Sequence, residues 1–150
     1  MSGRWILAAL HLLSLGIGLG AIWVRARVLR GPLDLAAIRT ALNAHAWWGV
    51  AGHLWIVTGV LRLFTGLEKG SAYYLHNYLF HTKMGLLVLV LVLEVGPLLT
   101  LRRWRKQLAR GETPETATAM RFATTSMAQA VLVVLMVFAA AGMARGYGMR

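Results

Sequence analysis

Cysteine is absent from the chain, which removes disulfides, thiolate metal sites and thiol nucleophiles from consideration. Acidic side chains are scarce, five against sixteen Lys and Arg, leaving a formal net charge of +11. Proline occurs three times, and only Pro97 falls inside an apolar run. No internal repeat or low-complexity stretch stands out. With polar connections of roughly ten to twenty residues, a chain of 150 has no room for a separate soluble domain. Residues 1–150 therefore read as one domain.

What fills the chain is apolar. Hydrophobic residues make up 58%, gathered into four runs at about Trp5–Val24, Ala46–Gly66, Thr82–Leu101 and Phe122–Met143. A helix of about 20 mostly apolar residues crosses the hydrocarbon core of a bilayer. The fold class expected is all-α, an integral membrane bundle of four helices. Basic residues cluster between spans: Arg25, Arg27, Arg30 and Arg39 in the first connection, and Arg102, Arg103, Arg105, Lys106, Arg110 and Arg121 in the third. By the positive-inside rule both loops are cytoplasmic, and the N-terminus and C-terminus lie outside. The excess charge then meets anionic lipid headgroups of the bilayer, not nucleic acid. Gly18 and Gly20 before Ala21 loosely resemble a signal-peptide cleavage site, but the apolar run is too long and Arg25, Arg27 and Arg30 follow like a stop-transfer signal.

Between the spans, Gly31-Pro32 introduces a segment Leu33–Asn43 expected to lie in the membrane interface. Trp23, Trp47, Trp48 and Trp104 form one aromatic belt, and Tyr73, Tyr74, Tyr78 and Phe80 the other. Gly66 to Gly70 makes an outer loop, and Thr113 or Thr116 is placed to cap the last helix. Gly16 and Gly20 suit close helix approach. Trp48, Gly52, Trp55, Gly59 and Arg62 recur at steps of four and three, so they share one stripe. Pro97 removes the hydrogen bond to the Leu93 carbonyl and predicts a kink beside Glu94.

Ionisable residues inside the spans are where function is sought, because charge in lipid is costly. The third span carries eight leucines and four valines, enough to insert despite Glu94, whose cost is roughly 2.5–3.5 kcal/mol. A rise of about 1.5 Å per residue sorts the polar groups into two layers. The outer one holds His11, Arg62 and Lys83, with His81 above; the inner one holds His53, Glu94 and Gln129. Lys83 and Glu94 share a face of their helix, and His11 and Arg25 share one of theirs, whereas His53 and Arg62 point in opposite directions. His45 and His76 read as ordinary boundary residues.

Neutral imidazole is a common axial ligand for haem iron, and helical bundles hold haem between facing helices. His11 is the candidate iron ligand. Arg62 and Lys83 are candidate partners for propionates, and His81 and Lys83 match the depth of His11 better than His53, which differs by about 9 Å. Haem b or another tetrapyrrole in a redox role is thus the cofactor expected. A small proton-linked transporter using Lys83 and Glu94, and an accessory subunit whose polar groups fix helix register, are the alternatives. Assembly as a homo-oligomer or within a larger membrane complex is open to each.

Motifs add to this. Gly59-Val60-Leu61-Arg62, Glu68-Lys69-Gly70, Tyr73-Tyr74, Asn77, Phe80-His81-Thr82-Lys83, Pro97 and Trp104-Arg105 occur in order, with His11-Leu12 before them and Ala144-Arg145-Gly146 after. Together they resemble a family of small bacterial four-span membrane proteins, domain of unknown function 2214. That resemblance implies a multi-pass protein of the bacterial inner membrane. His11 with Phe80-His81-Thr82-Lys83 is more distantly similar to the bacterial four-helix membrane protoporphyrinogen IX oxidases, which use a first-helix histidine and a third-helix lysine around a haem. The similarity implicates His11 and Lys83. After the histidine the chain departs from that pattern, lacking its Trp and Pro-Arg, so haem binding is what the likeness implies rather than the oxidase reaction.

Overall fold

A computed structural model of the chain describes residues 2–64 and 71–149, which form five helices. They are α1 (Ser2–Arg30), α2 (Leu35–Phe64), α3 (Ser71–Leu75), α4 (Tyr78–Ala109) and α5 (Ala119–Ala144). The outer loop at Gly66 to Gly70, with Glu68-Lys69-Gly70, lies outside the described residues. Among the described residues three helices are long and apolar enough to cross a membrane: Gly3–Arg30, Tyr78–Ala109 and Ala119–Ala144. At 30 residues α2 is of matching length, but His45, Trp47, Trp48, His53 and Trp55 dilute its apolar character.

Two boundaries differ from those the pattern suggests. Leu33–Asn43 is not a separate interfacial segment; from Leu35 onward it is the start of α2. Asp34 explains why, since its carboxylate accepts from Ala37 N at 2.8 Å and its carbonyl from Ile38 N at 3.0 Å. This satisfies donors that a helix start leaves bare. Likewise α1 does not stop at Val24 but runs to Arg30, which puts Arg25 on a helix and not in a loop. Helix α4 continues through Pro97, and α5 is preceded by Thr118, whose side chain makes no capping bond.

Helix α1 packs along α2 and α5, and α4 packs on α5, whereas α2 and α4 scarcely touch. The helices therefore form an arc in the order α2, α1, α5, α4. His11 meets Thr58 and Arg25 meets His45, so α1 and α2 run antiparallel. Much of the exterior is apolar, with Val88, Leu91, Val92, Val95 and Leu99 of α4 all exposed.

The main apolar core sits at one end, built from Leu29, Ile38, Leu42, Leu101, Trp104 and Phe122. Trp104 is 1% exposed and donates its indole N–H to the Glu115 carbonyl at 3.1 Å. It is therefore a core residue, not a member of an interfacial belt, although Trp23 and Trp47 are exposed. Trp104→Phe is expected to lower stability by about 1–2 kcal/mol, through the lost bond and the unfilled volume. Thermal melting in mild detergent measures this.

At the opposite end the C-terminal residues are tied down. Asn77, fully buried, donates to the Tyr147 carbonyl at 2.9 Å and accepts from Leu79 N at 2.9 Å. Tyr78 N donates to the Gly148 carbonyl at 3.0 Å. Tyr73 adds a bond from its hydroxyl to the Met143 carbonyl at 2.8 Å.

Candidate functional site

A cavity of about 560 Å³ opens among α1, α2, α4 and α5 at the end carrying His11. Its size falls within the range of about 300–1,000 Å³ typical of small-molecule sites. His11 from α1, Trp55 and Arg62 from α2, and Lys83 from α4 line it, together with Tyr73 and Tyr74. The remainder of the wall is largely aliphatic, with Met84, Met136 and Met143 among it.

Local chemistry holds these groups in place. The His11 ring is 8% exposed and stacks on Trp55, centroids 5.5 Å apart at an interplanar angle of 24°. Its Nδ1 lies 2.8 Å from Thr58 Oγ1. Gly59 faces the ring, and a Cβ there would meet His11 Cε1 at 3.4 Å, an ordinary van der Waals contact. The Lys83 ammonium lies 5.5 Å from the Trp55 centroid, within reach of the ring's negative face. Trp55 Nε1 is enclosed with no acceptor among the described residues, which is unusual for a buried indole donor.

A second polar site is built across the four long helices. Arg25, fully buried, forms a bidentate pair with Glu94, Nη1 to Oε1 at 2.7 Å and Nη2 to Oε2 at 2.8 Å. Its Nε donates to Ser126 Oγ at 2.9 Å, Nη2 to Gln129 Oε1 at 2.8 Å and Nη1 to His45 Nδ1 at 2.9 Å. A guanidinium has five N–H donors, and all five are used. Gln129 completes the set by donating to Glu94 Oε2 at 2.8 Å and to the Val90 carbonyl at 3.0 Å. Because arginine only donates, His45 Nδ1 accepts, and its ring proton is on Nε2. Such a cluster neutralises charge where solvent cannot.

A family model described as "Predicted membrane protein (DUF2214)" matches residues 3–148. The chain belongs to this family. Membership makes it a membrane protein, in keeping with the three membrane-length helices, and carries no reaction with it. No curated protein and no solved structure matches the chain.

In this DUF2214 protein His11, Arg62 and Lys83 share one cavity, as their common depth suggested. His81 does not line it; the ring is exposed and lies 3.0 Å from the Leu75 carbonyl through Nε2. His53 is exposed on α2, its Nδ1 2.8 Å from the Gly49 carbonyl, away from Glu94 and Gln129. The inner layer instead takes its imidazole from His45. Arg25, assigned to a cytoplasmic loop on sequence grounds, is the centre of that layer. The other nine basic residues of the two loops are exposed, as lipid-headgroup contacts require.

Thr58, Arg25, His45 and Ser126 are site residues that the sequence pattern alone does not single out. For Arg25 a signal existed, because it shares a face of α1 with His11. Thr58 lies one residue off the Trp55–Gly59–Arg62 stripe, and nothing in the sequence marks it.

Proposed function

We propose that this is a four-span protein of the bacterial inner membrane, with both termini outside, that binds haem b or a related tetrapyrrole in the cavity. What supports the reading is that an imidazole and two cations from three different helices line one cavity whose wall is otherwise largely apolar. That donor set fits the group: His11 for the iron, Arg62 and Lys83 for the two propionates, and aromatic and aliphatic walls for the porphyrin faces. When bound, a haem supplies one-electron chemistry. The chain's part is to present the imidazole, pair the anionic edge and keep water from the ring.

The spectrum of the protein purified in mild detergent tests this. A Soret band is expected, lost in His11→Ala and retained in His53→Ala and His81→Ala. A chain that takes up no chromophore even after incubation with haemin overturns the proposal.

A second reading, an accessory subunit, draws on the Arg25 cluster, whose fully used donors suit a role in fixing helix register. On that reading single substitutions change stability or assembly and leave the absorption spectrum as it was. A proton-linked transporter would need Lys83 and Glu94 on one path. Lys83 lines the cavity, while Glu94 is paired to Arg25 about 16 Å further along α4.

A further inference from the structure

We propose that a small polar cavity at the α4–α5 connection binds the headgroup of an amine-bearing phospholipid, with the phosphate on Arg103 and the ammonium on Gln107 and Glu115. The proposal requires only that the protein sits in a membrane, and it is independent of the cavity at His11.

This second cavity has a volume of about 200 Å³. Helix α4 supplies Thr100, Arg103, Trp104 and Gln107, and the connection supplies Glu115 and Thr118. The space is below the range of about 300–1,000 Å³ usual for cofactors, and suits a small polar group. Trp104 is a buried wall, and its bond to the Glu115 carbonyl holds the connection against α4. The other five carry polar side chains, and among the described residues none of them makes a side-chain hydrogen bond or ion pair. Helical threonines elsewhere spend the hydroxyl proton on the carbonyl four residues back, as Thr40, Thr82, Thr124 and Thr125 do. Thr100 makes no such bond, and the Thr118 hydroxyl caps nothing. Gln107 Oε1 is enclosed without a donor. A buried acceptor in that state is costly, and an N–H group would satisfy it.

The lining is two-sided in charge. Arg103 offers a planar fork of N–H donors suited to phosphate, with the hydroxyls of Thr100 and Thr118 beside it. Gln107 Oε1 and the Glu115 carboxylate accept, which suits an ammonium. A simple anion would meet Glu115, and a simple cation would meet Arg103. A zwitterion answers both.

Depth agrees with a lipid. Thr100 stands at the end of the apolar run of α4 next to the exposed Leu99, and Gln107 lies about 10 Å further along the axis. The headgroup layer is about 5–8 Å deep on each side of the hydrocarbon. A phosphate at Arg103 therefore leaves the acyl chains beside Leu99 and carries the amine toward Gln107.

The test uses the full chain in mild detergent, its melting temperature read as phosphatidylethanolamine, phosphatidylcholine or phosphatidylglycerol is added at equal mole fraction. The ethanolamine lipid is expected to raise it by about 3–6 °C at about ten times its dissociation constant, and the other two to raise it less. Choline has no N–H for Gln107 Oε1, and glycerol brings no positive charge to Glu115. Gln107→Met is expected to abolish the preference for ethanolamine over choline, and Gln107→Glu to keep it. Arg103→Ala should lose the response to the ethanolamine lipid, whereas Arg105→Ala, exposed and outside the cavity, should retain it. Equal shifts with the three lipids, or a preference that survives Gln107→Met, overturn the proposal. Should Gln107→Met not fold, the wild-type lipid series and the exposed Arg103 still decide it. Soluble glycerophosphoethanolamine separates the two sources of this chemistry. A response only at far higher concentration than the diacyl lipid supports a bilayer ligand, and an equal response overturns the lipid assignment.

Discussion

Arg25→Ala is expected to lower the unfolding stability by about 3–5 kcal/mol, the largest effect of any single substitution considered. The reason is the state in which it leaves Glu94. That carboxylate faces the guanidinium at 2.7 and 2.8 Å, and its side chain is only 15% exposed. Without Arg25 it keeps only Gln129 and His45 near it, and His45 Nδ1, 3.2 Å from Oε1, was itself accepting from the arginine. Arg25→Lys is expected to recover only part of the loss, because one ammonium cannot replace a planar fork serving Ser126, His45, Glu94 and Gln129 at once. The pair Arg25→Met with Glu94→Leu is expected to cost less than Arg25→Ala alone, since no unpaired charge remains. Equilibrium unfolding in mixed micelles, followed by far-UV circular dichroism, gives all three values. A wild-type midpoint for Arg25→Ala would show that the cluster contributes little.

Gly148→Ala is expected to detach the C-terminal segment. Gly148 has φ +88°, a region where side chains other than glycine's are strained by about 1–3 kcal/mol. An added Cβ would also fall 2.5 Å from Asn77 Oδ1 and 2.9 Å from Leu79 Cγ. Asn77 is the buried link between the start of α4 and the last residues, so the methyl strikes the part of the contact that cannot give way. Gly146 provides the control, since it has the same φ of +88° but open space at its Cβ position. Gly146→Ala bears the backbone strain alone. Carboxypeptidase digestion should therefore trim Gly148→Ala fastest, Gly146→Ala more slowly and the wild type least. Equal rates for the two variants would mean that the steric clash is unimportant.

The membrane-length helices and the His11, Arg62 and Lys83 grouping were legible in the sequence because helical rise converts residue number into depth. That conversion depends on correct helix ends. Ending the first helix at Val24 moved Arg25 into water, although its face of α1 already included His11. A basic residue next to Arg27 and Arg30 looks like part of a headgroup-binding run, and only the acceptors on three other helices distinguish it. His45 is hidden for the same reason, because the apolar run starts only at Ala46 whereas α2 starts at Leu35. His53 shares the depth of Glu94, but depth says nothing of rotation relative to neighbouring helices, and its side chain is exposed beside the Gly49 carbonyl. Thr58 and Ser126 gave no signal. Small hydroxyls are common on membrane helices, and what matters here is which neighbour each one meets.

The sparse packing of α2 against α4 has a consequence for how the arc is closed. Both helices are held to Arg25 at one level, α2 through His45 and α4 through Glu94. Beside His11 they meet again, where the Lys83 ammonium lies over the Trp55 ring. Charge thus helps to join two ends whose backbones share few close approaches.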